Sequence, residues 1–299
     1  MRIADLGYKT DTGRKRRRNE DAYVSRPPLF AVADGMGGAR AGEVASSLAA
    51  AAVKAAEEGG SGRERVAALI QEANRRIYER SSEDADVAGM GTTMTVALVE
   101  DATVTFGHVG DSRAYILRDG SLEQLTDDHS LVAELVRGGK LSPEEAEHHP
   151  QRSVITRALG TDPDVDVDTF IVEAKSGDIF LLCSDGLTDM LGDAEIVDVL
   201  GGRKSLEEAA KELIKLANKA GGEDNITIVA FELTEEPEER TVEQTRPLPA
   251  VGPDEDTLDE LDAVPVIEEP KPRRRRSFVV LLLLLLIAAA AIVVWVLVR

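Results

Sequence analysis

Apolar, strand-like runs that begin or end on a carboxylate recur through this sequence, and a folded chain can accommodate that pattern in few ways. "LFAVA" runs into Asp34 and Gly35, "IFLLCS" into Asp185 and Gly186, and "TFGHVG" into Asp111. Asp224 lies in "GGEDN", just before the apolar "ITIVAFEL", and Glu20 and Asp21 open an early strand in "NED". A carboxylate where a core strand ends is costly unless something pairs with it. A single Asp-Gly reads equally well as a tight turn. Five such sites, each joined to an apolar strand, point instead to strand ends converging on a shared acidic cluster. Packed carboxylates repel and raise one another's pKa, so the cluster requires cations. Oxygen-only ligands select hard ions, Mg²⁺ or Mn²⁺, over zinc.

The rest of the domain supplies strands and helices in clusters. Ile3–Leu6, Ala22–Val24 and Leu29–Ala33 read as strands. Two helices are expected next, Glu43–Glu58 and Arg63–Glu79, the second carrying Val66, Leu69, Ile70, Ala73 and Ile77 on one face. Strands return in "TTMTVALV", "ATVTFGHVG" and "RAYILRDGSLEQLT", the last a hairpin turning at Asp119-Gly120. "LSPEEAE" reads as a short helix with Ser142 at its N-cap and Glu145 completing a capping box. "DIFLLC" is a further buried strand, and a helix over Leu206–Ala220, capped by Ser205 with Glu208, precedes the final strand. Strands grouped rather than alternating with helices indicate antiparallel sheets covered by helices, an α+β design.

The chain has 299 residues and a formal charge of −20, which argues against nucleic acid as a partner. It also makes an anionic substrate puzzling unless cations supply the missing charge. The single cysteine, Cys183, excludes an internal disulfide framework and fits a reducing compartment. No apolar segment near Met1 resembles a secretory signal. Phe278–Val298 is uninterrupted apolar sequence, long enough as a helix to span a bilayer core of about 30 Å. Arg273–Arg276 precede it, so the positive-inside rule places everything upstream in the cytoplasm. Between lies a stretch rich in Glu, Asp and Pro that reads as a self-repelling tether. The expected organisation is a domain over residues 1–233, a tether with its basic run over 234–277, and a membrane helix over 278–298.

"RRRNED", "VADGMGG", "GTTMTVALV", "VGDSRAY", "LLCSDGLTD" and "GGEDNITIV" together resemble the ordered motif set of the metal-dependent protein phosphatase 2C family in its compact bacterial form. The tether and single C-terminal span resemble bacterial members that work opposite membrane-bound Ser/Thr kinases. The resemblance implies a four-layer αββα sandwich of two antiparallel sheets flanked by helices, with two metal ions in a channel between the sheets. It implies Asp34 as the bridge between both metals, Glu20 and the Gly35 carbonyl on the second, Asp185 and Asp224 on the first, and Asp111 as a third-metal ligand shared with Asp185. Asp21 would orient metal-bound water, and Arg16 would bind phosphate. The implied reaction is hydrolysis of phosphoserine or phosphothreonine in proteins, membrane Ser/Thr kinases among them, by water activated between Mn²⁺ or Mg²⁺ ions.

Met36 departs from the larger eukaryotic relatives, which carry a histidine there, so no proton donor to the leaving alkoxide is evident. His108, His129, His148 and His149 lack metal-ligand spacing and read as structural or surface residues. Cys183 lacks an arginine six positions on, where Asp189 stands, and reads as a small buried hydrophobe. Lys15, Arg17 and Arg18 read as surface charge, and Asp189 and Asp193 as capping or turn residues. Two other functions fit the same chain, a metal-poor pseudophosphatase that only binds phosphoproteins and a membrane adaptor whose acidic tether recruits basic partners.

Overall fold

The computed structural model describes residues 1–37, 41–56 and 59–235. In chain order its strands are β1 (Arg2–Asp11), β2 (Asp21–Arg26), β3 (Leu29–Met36), β4 (Gly91–Thr92), β5 (Met94–Glu100), β6 (Thr103–Val109), β7 (Arg113–Arg118), β8 (Ser121–Gln124), β9 (Asp168–Glu173), β10 (Ile179–Cys183) and β11 (Ile226–Thr234). The helices are α1 (Ala41–Lys54), α2 (Gly62–Glu83), α3 (Leu131–Arg137), α4 (Pro143–Glu147), α5 (Asp185–Thr188), α6 (Asp193–Gly201) and α7 (Leu206–Ala220). One sheet runs β1-β11-β10-β7-β8 and the other β2-β3-β5-β6-β9, with β4 added beside β3. Every strand pairing is antiparallel.

Strand periodicity explains the layering. In β3, Leu29, Ala31 and Ala33 point toward the helices α1 and α2, while Phe30 and Val32 point into the space between the sheets. That inter-sheet layer is built on Phe30, Phe106, Phe180 and Phe231, with Phe30 stacked on Phe231 at 4.2 Å between ring centroids. A third apolar layer joins the other face of the five-stranded sheet to α6 and α7. Three apolar layers between helices, sheet, sheet and helices make the αββα sandwich. Strands buried on both faces need apolar residues at every position, hence the unbroken runs.

Local signals hold in most places. The expected face of α2 is buried, joined by Asn74, whose amide serves the Gly160 turn rather than the core. Ser142 and Glu145 form the capping box in both directions at the start of α4. Asp119 and Gly120 both have positive φ, as the hairpin turn between β7 and β8 requires. Ser205 accepts from the Glu208 N–H, and Asp5 of β1 takes the Leu206 N–H at 2.7 Å, fastening α7 to the sheet it covers.

The structure shifts two helix boundaries and decides two readings that the sequence left open. α1 is shifted toward the N-terminus of the expected span, and α2 runs on past Glu79 to Glu83. Asp34-Gly35 is no turn, because β3 continues through both to Met36 and pairs there with Thr92 and Gly91. Gly192 rather than Asp193 caps α6, and Asp193 sits in the first turn, where a negative charge suits the helix dipole.

The chain divides into two units, Met1–Glu239 and Arg240–Arg299, the second wholly outside the described residues. Among the described residues no helix is long and apolar enough to cross a membrane. The expected membrane helix and almost all of the expected tether lie outside them.

Candidate active site

A cleft of about 980 Å³ opens where the strand ends meet, and Glu20, Asp34, Gly35, Asp111, Asp185 and Asp224 all line it, with Arg16 at its rim. Each side chain arrives from a different element. Glu20 precedes β2, Asp34 and Gly35 lie in β3, and Asp111 follows β6. Asp185 follows β10 and opens α5, and Asp224 stands in the turn before β11. Asp21 is the one expected residue that does not line the cleft. It is the cross-strand partner of Asp34 and accepts from the Ser184 hydroxyl at 2.9 Å.

Glycine at 35 is required by close approach. A Cβ there would lie 2.1 Å from the Gly42 carbonyl oxygen and 2.5 Å from that of Glu20, so only glycine lets α1 and the Glu20 loop pack against this strand. Asp34 is braced through its main chain: its N–H donates to Thr93 Oγ1 at 2.9 Å, and its carbonyl accepts from Thr92 Oγ1 at 2.7 Å.

The electrostatics are those of an acidic cluster short of positive charge. Burial, followed by the charges of Asp21, Asp185, Asp111 and Asp224, pushes the Asp34 carboxyl well above the usual carboxylate range. Burial and the neighbouring Asp111, Asp189 and Asp224 do the same to Asp185. Burial raises Asp21 to about 6 against the opposing hydrogen bonds of Thr227 and Ser184, and raises Asp111 to about 6 with help from Asp128. Burial also raises Glu20, with Arg16 acting the other way. Arg16 is held above its ordinary value: burial works against it, but the hydrogen bond and charge of Asp224 outweigh that.

These residues fit divalent cations. One carboxylate oxygen each on Asp21 and Asp185 is fully removed from solvent without a hydrogen-bond partner, a cost that a cation can offset. The carboxylates of Glu20, Asp34, Asp111, Asp185 and Asp224 bring hard oxygens to the cleft, and no histidine or cysteine among the described residues lines it. As they stand, no three His, Cys, Asp or Glu side chains among the described residues close around one point as a cage. Arg16 holds an Asp224 oxygen at 2.5 Å.

Several contributors were not singled out from the sequence. Asn225 donates to the carbonyls of Thr12 and Arg18 and accepts from the Glu20 N–H at 2.7 Å, so one amide pins the loop that carries both Arg16 and Glu20. Its position beside Asp224 in "EDN" was the only available signal. Arg17 and Arg18, expected as surface charge, line the cleft beside Arg16. Asp189, expected as a cap or turn, is the C-cap of α5, and its carboxylate also accepts from Arg152 at 2.8 Å. Met36 lines the cleft. Cys183 is buried, its thiol pushed up to about 12 by burial, which leaves it inert. His108 and His129 are buried and bonded within the fold.

Comparison with known proteins places this arrangement. A family model for protein phosphatase 2C matches residues 13–227. The serine/threonine phosphatase stp of Listeria welshimeri is 43% identical over 242 residues, spanning 75% of this chain and 94% of the relative. Among solved structures, the serine/threonine phosphatase PstP/Ppp of Mycobacterium tuberculosis superposes with a TM-score of 0.73 at 42% identity, covering 77% of this chain and 98% of that one. The catalytic domain of PstP in complex with two manganese ions superposes at 0.71 with 39% identity, covering 77% and 98%.

Proposed function

The chain belongs to the protein phosphatase 2C family, and on that premise we propose that it hydrolyses phosphoserine and phosphothreonine in proteins with the help of divalent cations. The observation that carries this reading is the gathering of Glu20, Asp34, Asp111, Asp185 and Asp224 from separate strand ends onto one cleft, with a guanidinium at its rim. In this reading Asp34 would serve two ions, with Glu20 and the Gly35 carbonyl on one and Asp185 and Asp224 on the other, and Asp111 would join Asp185 on a third. Mn²⁺ or Mg²⁺ bound there would lower the pKa of a water and offset charge on the phosphoryl oxygens.

The chain's own residues do the rest. Arg16, released from Asp224, offers a planar pair of donors to the phosphate oxygens and orients the ester. Asp21 stands opposite Asp34 in the ladder, held by the Ser184 hydroxyl, and would orient water bound at the site. Water adds to phosphorus as the ester P–O bond breaks, and the serine or threonine oxygen takes a proton from solvent, since Met36 has none to give. Cys183 is sealed in the core and His129 is committed to the fold, so neither is placed as a covalent nucleophile.

Residues 234–277 serve in this reading as an acidic tether and residues 278–298 as a single membrane span, with the phosphatase domain on the cytoplasmic side. The supports are the uninterrupted apolar run and the arginines before it. A tether of about 40 residues at roughly 5–6 Å times the square root of its length gives a reach of about 35 Å. That reach concentrates the enzyme on phosphorylated membrane proteins, Ser/Thr kinases included.

The full chain, purified in detergent, is to be assayed on a phosphothreonine peptide with and without Mn²⁺. Turnover that appears with Mn²⁺ and vanishes in excess EDTA is expected. Full activity in EDTA would refute the reading, and tight peptide binding without turnover would favour a binding-only pseudophosphatase.

A further inference from the structure

Outside the acidic cleft, a buried histidine clasps the Asp111 loop. His129 is 3% exposed and follows the β8 hairpin at the point where the chain departs into α3 and α4. Its N–H donates to the Gly110 carbonyl at 2.8 Å, and the Gly110 N–H donates back to His129 Nδ1 at 3.0 Å. Gly110 is the residue just before Asp111, and its positive φ (112°) sets the bend that turns Asp111 toward the cleft. The His129 carbonyl accepts from the Thr156 N–H at 2.8 Å, and Ser130 pairs with Ile155 in a short antiparallel bridge. Residues 131–154, which carry Arg152 to the cleft mouth, therefore leave and return at one point, and that point is bonded to the Asp111 loop on both sides.

The outer edge of the ring is equally committed. A backbone N–H always donates, so the bond from Gly110 leaves Nδ1 without a proton, and the neutral ring carries its proton on Nε2. Nε2 lies 3.0 Å from Asp168 Oδ2 and 3.1 Å from Arg157 Nη1, which also holds the other oxygen of Asp168 at 2.7 Å; a guanidinium cannot accept, so Asp168 is the group that takes the Nε2 proton. The carboxylate thus fixes both tautomer and ring plane, as a carboxylate does behind a histidine ligand. Here the ring serves a main-chain amide instead of an ion.

We propose that His129 is a positioning residue, which fixes Asp111 through Gly110 and links that carboxylate to the base of the 131–154 segment. It touches neither substrate nor the cleft, and it acts on turnover only through Asp111. This rests on the phosphatase reading for its functional consequence, while the clasp itself can be tested without any activity.

Two variants of the full chain and one measurement on the unaltered chain test it. His129→Phe keeps an aromatic ring but loses the acceptor. His129→Asn keeps a carbonyl acceptor for Gly110 and an amide donor for Asp168. In His129→Phe, amide exchange at Gly110 should quicken by about tenfold, the equivalent of one lost hydrogen bond, with exchange in β10 and β11 unchanged. The Mn²⁺ concentration giving half-maximal phosphopeptide turnover should rise by a similar factor, and His129→Asn should restore both. Unchanged exchange at Gly110, or a His129→Asn variant that behaves like His129→Phe, would overturn the proposal. If His129→Phe does not fold, nitrogen NMR of the imidazole in the unaltered chain decides. A bare Nδ1 with a proton on Nε2 is required, and a protonated Nδ1 would overturn it. Should the chain prove inactive on every phosphoester, the exchange and NMR results still stand or fall alone.

Discussion

Asp21 and Asp34 sit directly opposite one another in the β2–β3 ladder, two carboxylates in register on adjacent strands. Like charges so placed disfavour the pairing, and burial raises both above their ordinary range; the charge of Asp21 adds to the rise at Asp34, while a hydrogen bond with Asp34 works the other way at Asp21. The sheet therefore holds stored repulsion at the place where it would hold cations. Stability and function are opposed at this pair, and that opposition can be measured.

Replacing Asp34 by Asn should leave the protein in EDTA as stable as the unaltered chain or more so. Relief of a cross-strand repulsion of up to about 1 kcal/mol corresponds to a rise in Tm of about 2–4 °C for a domain of this size. Addition of Mn²⁺ should raise the Tm of the unaltered chain and leave Asp34→Asn unmoved. A scanning calorimeter distinguishes these cases, and an Mn²⁺-induced rise in the variant would remove Asp34 from the metal site.

Arg16 engages Asp224 rather than a phosphate, and its guanidinium is half exposed, so the pair itself adds little to stability. In Arg16→Ala, inorganic phosphate should inhibit about 10–100-fold more weakly, the loss of about 1.5–3 kcal/mol expected for charged hydrogen bonds. Mn²⁺ affinity should hold or improve, because Asp224 is freed. Titration calorimetry showing that Mn²⁺ binding is lost would contradict this assignment.

Gly35→Ala tests the close approach at the centre of the site. The added Cβ meets backbone atoms of Gly42 and Glu20, which cannot rotate away. A loss of about 3 kcal/mol or more in urea unfolding is expected, together with weaker Mn²⁺ binding as Glu20 is displaced. A variant as stable as the parent would show that α1 yields more readily than this packing implies.

His108 gives the fold an acid limit. Burial first, and the adjacent ring of His129 second, lower its pKa to about 4, against an unfolded value of about 6.5. Its Nε2–H donates to the Asp127 carbonyl at 3.1 Å, and Nδ1 lies 3.0 Å from the Thr95 hydroxyl. Between those two values the unfolded chain binds a proton that the folded one refuses, so stability falls as pH drops from about 6.5 to about 4. The linkage amounts to about 3 kcal/mol. His108→Gln should flatten that part of the stability–pH curve, and a slope identical to the parent's would place the proton uptake elsewhere.

Deleting residues 272–299 should leave turnover of soluble phosphopeptides intact and slow the dephosphorylation of substrates embedded in the same vesicles. Protease added outside intact cells should spare the phosphatase domain. Digestion there would reverse the proposed topology.

What the sequence determined by itself was whatever depends on near neighbours along the chain. Apolar runs closing on Asp111 and Asp185 announced both the strands and the oxygen chemistry at their ends. The 3.6-residue spacing from Val66 to Ile77 named the buried face of α2, and Ser142 with Glu145 named a helix start, because caps and faces are written within a turn or two. Tertiary structure alone decided the rest. Asp34-Gly35 reads as a turn until α1 packs its Gly42 carbonyl where a side chain would be. Asp21 and Asp34 become partners only when β2 folds back on β3, and Asn225 acquires its role only when β11 lies beside the Arg16 loop. His129 was legible only as structural or surface, because both groups it serves, Gly110 and Asp168, are distant in sequence. A short-range pattern records which way a side chain points; what it meets there is set by how the sheets and helices pack.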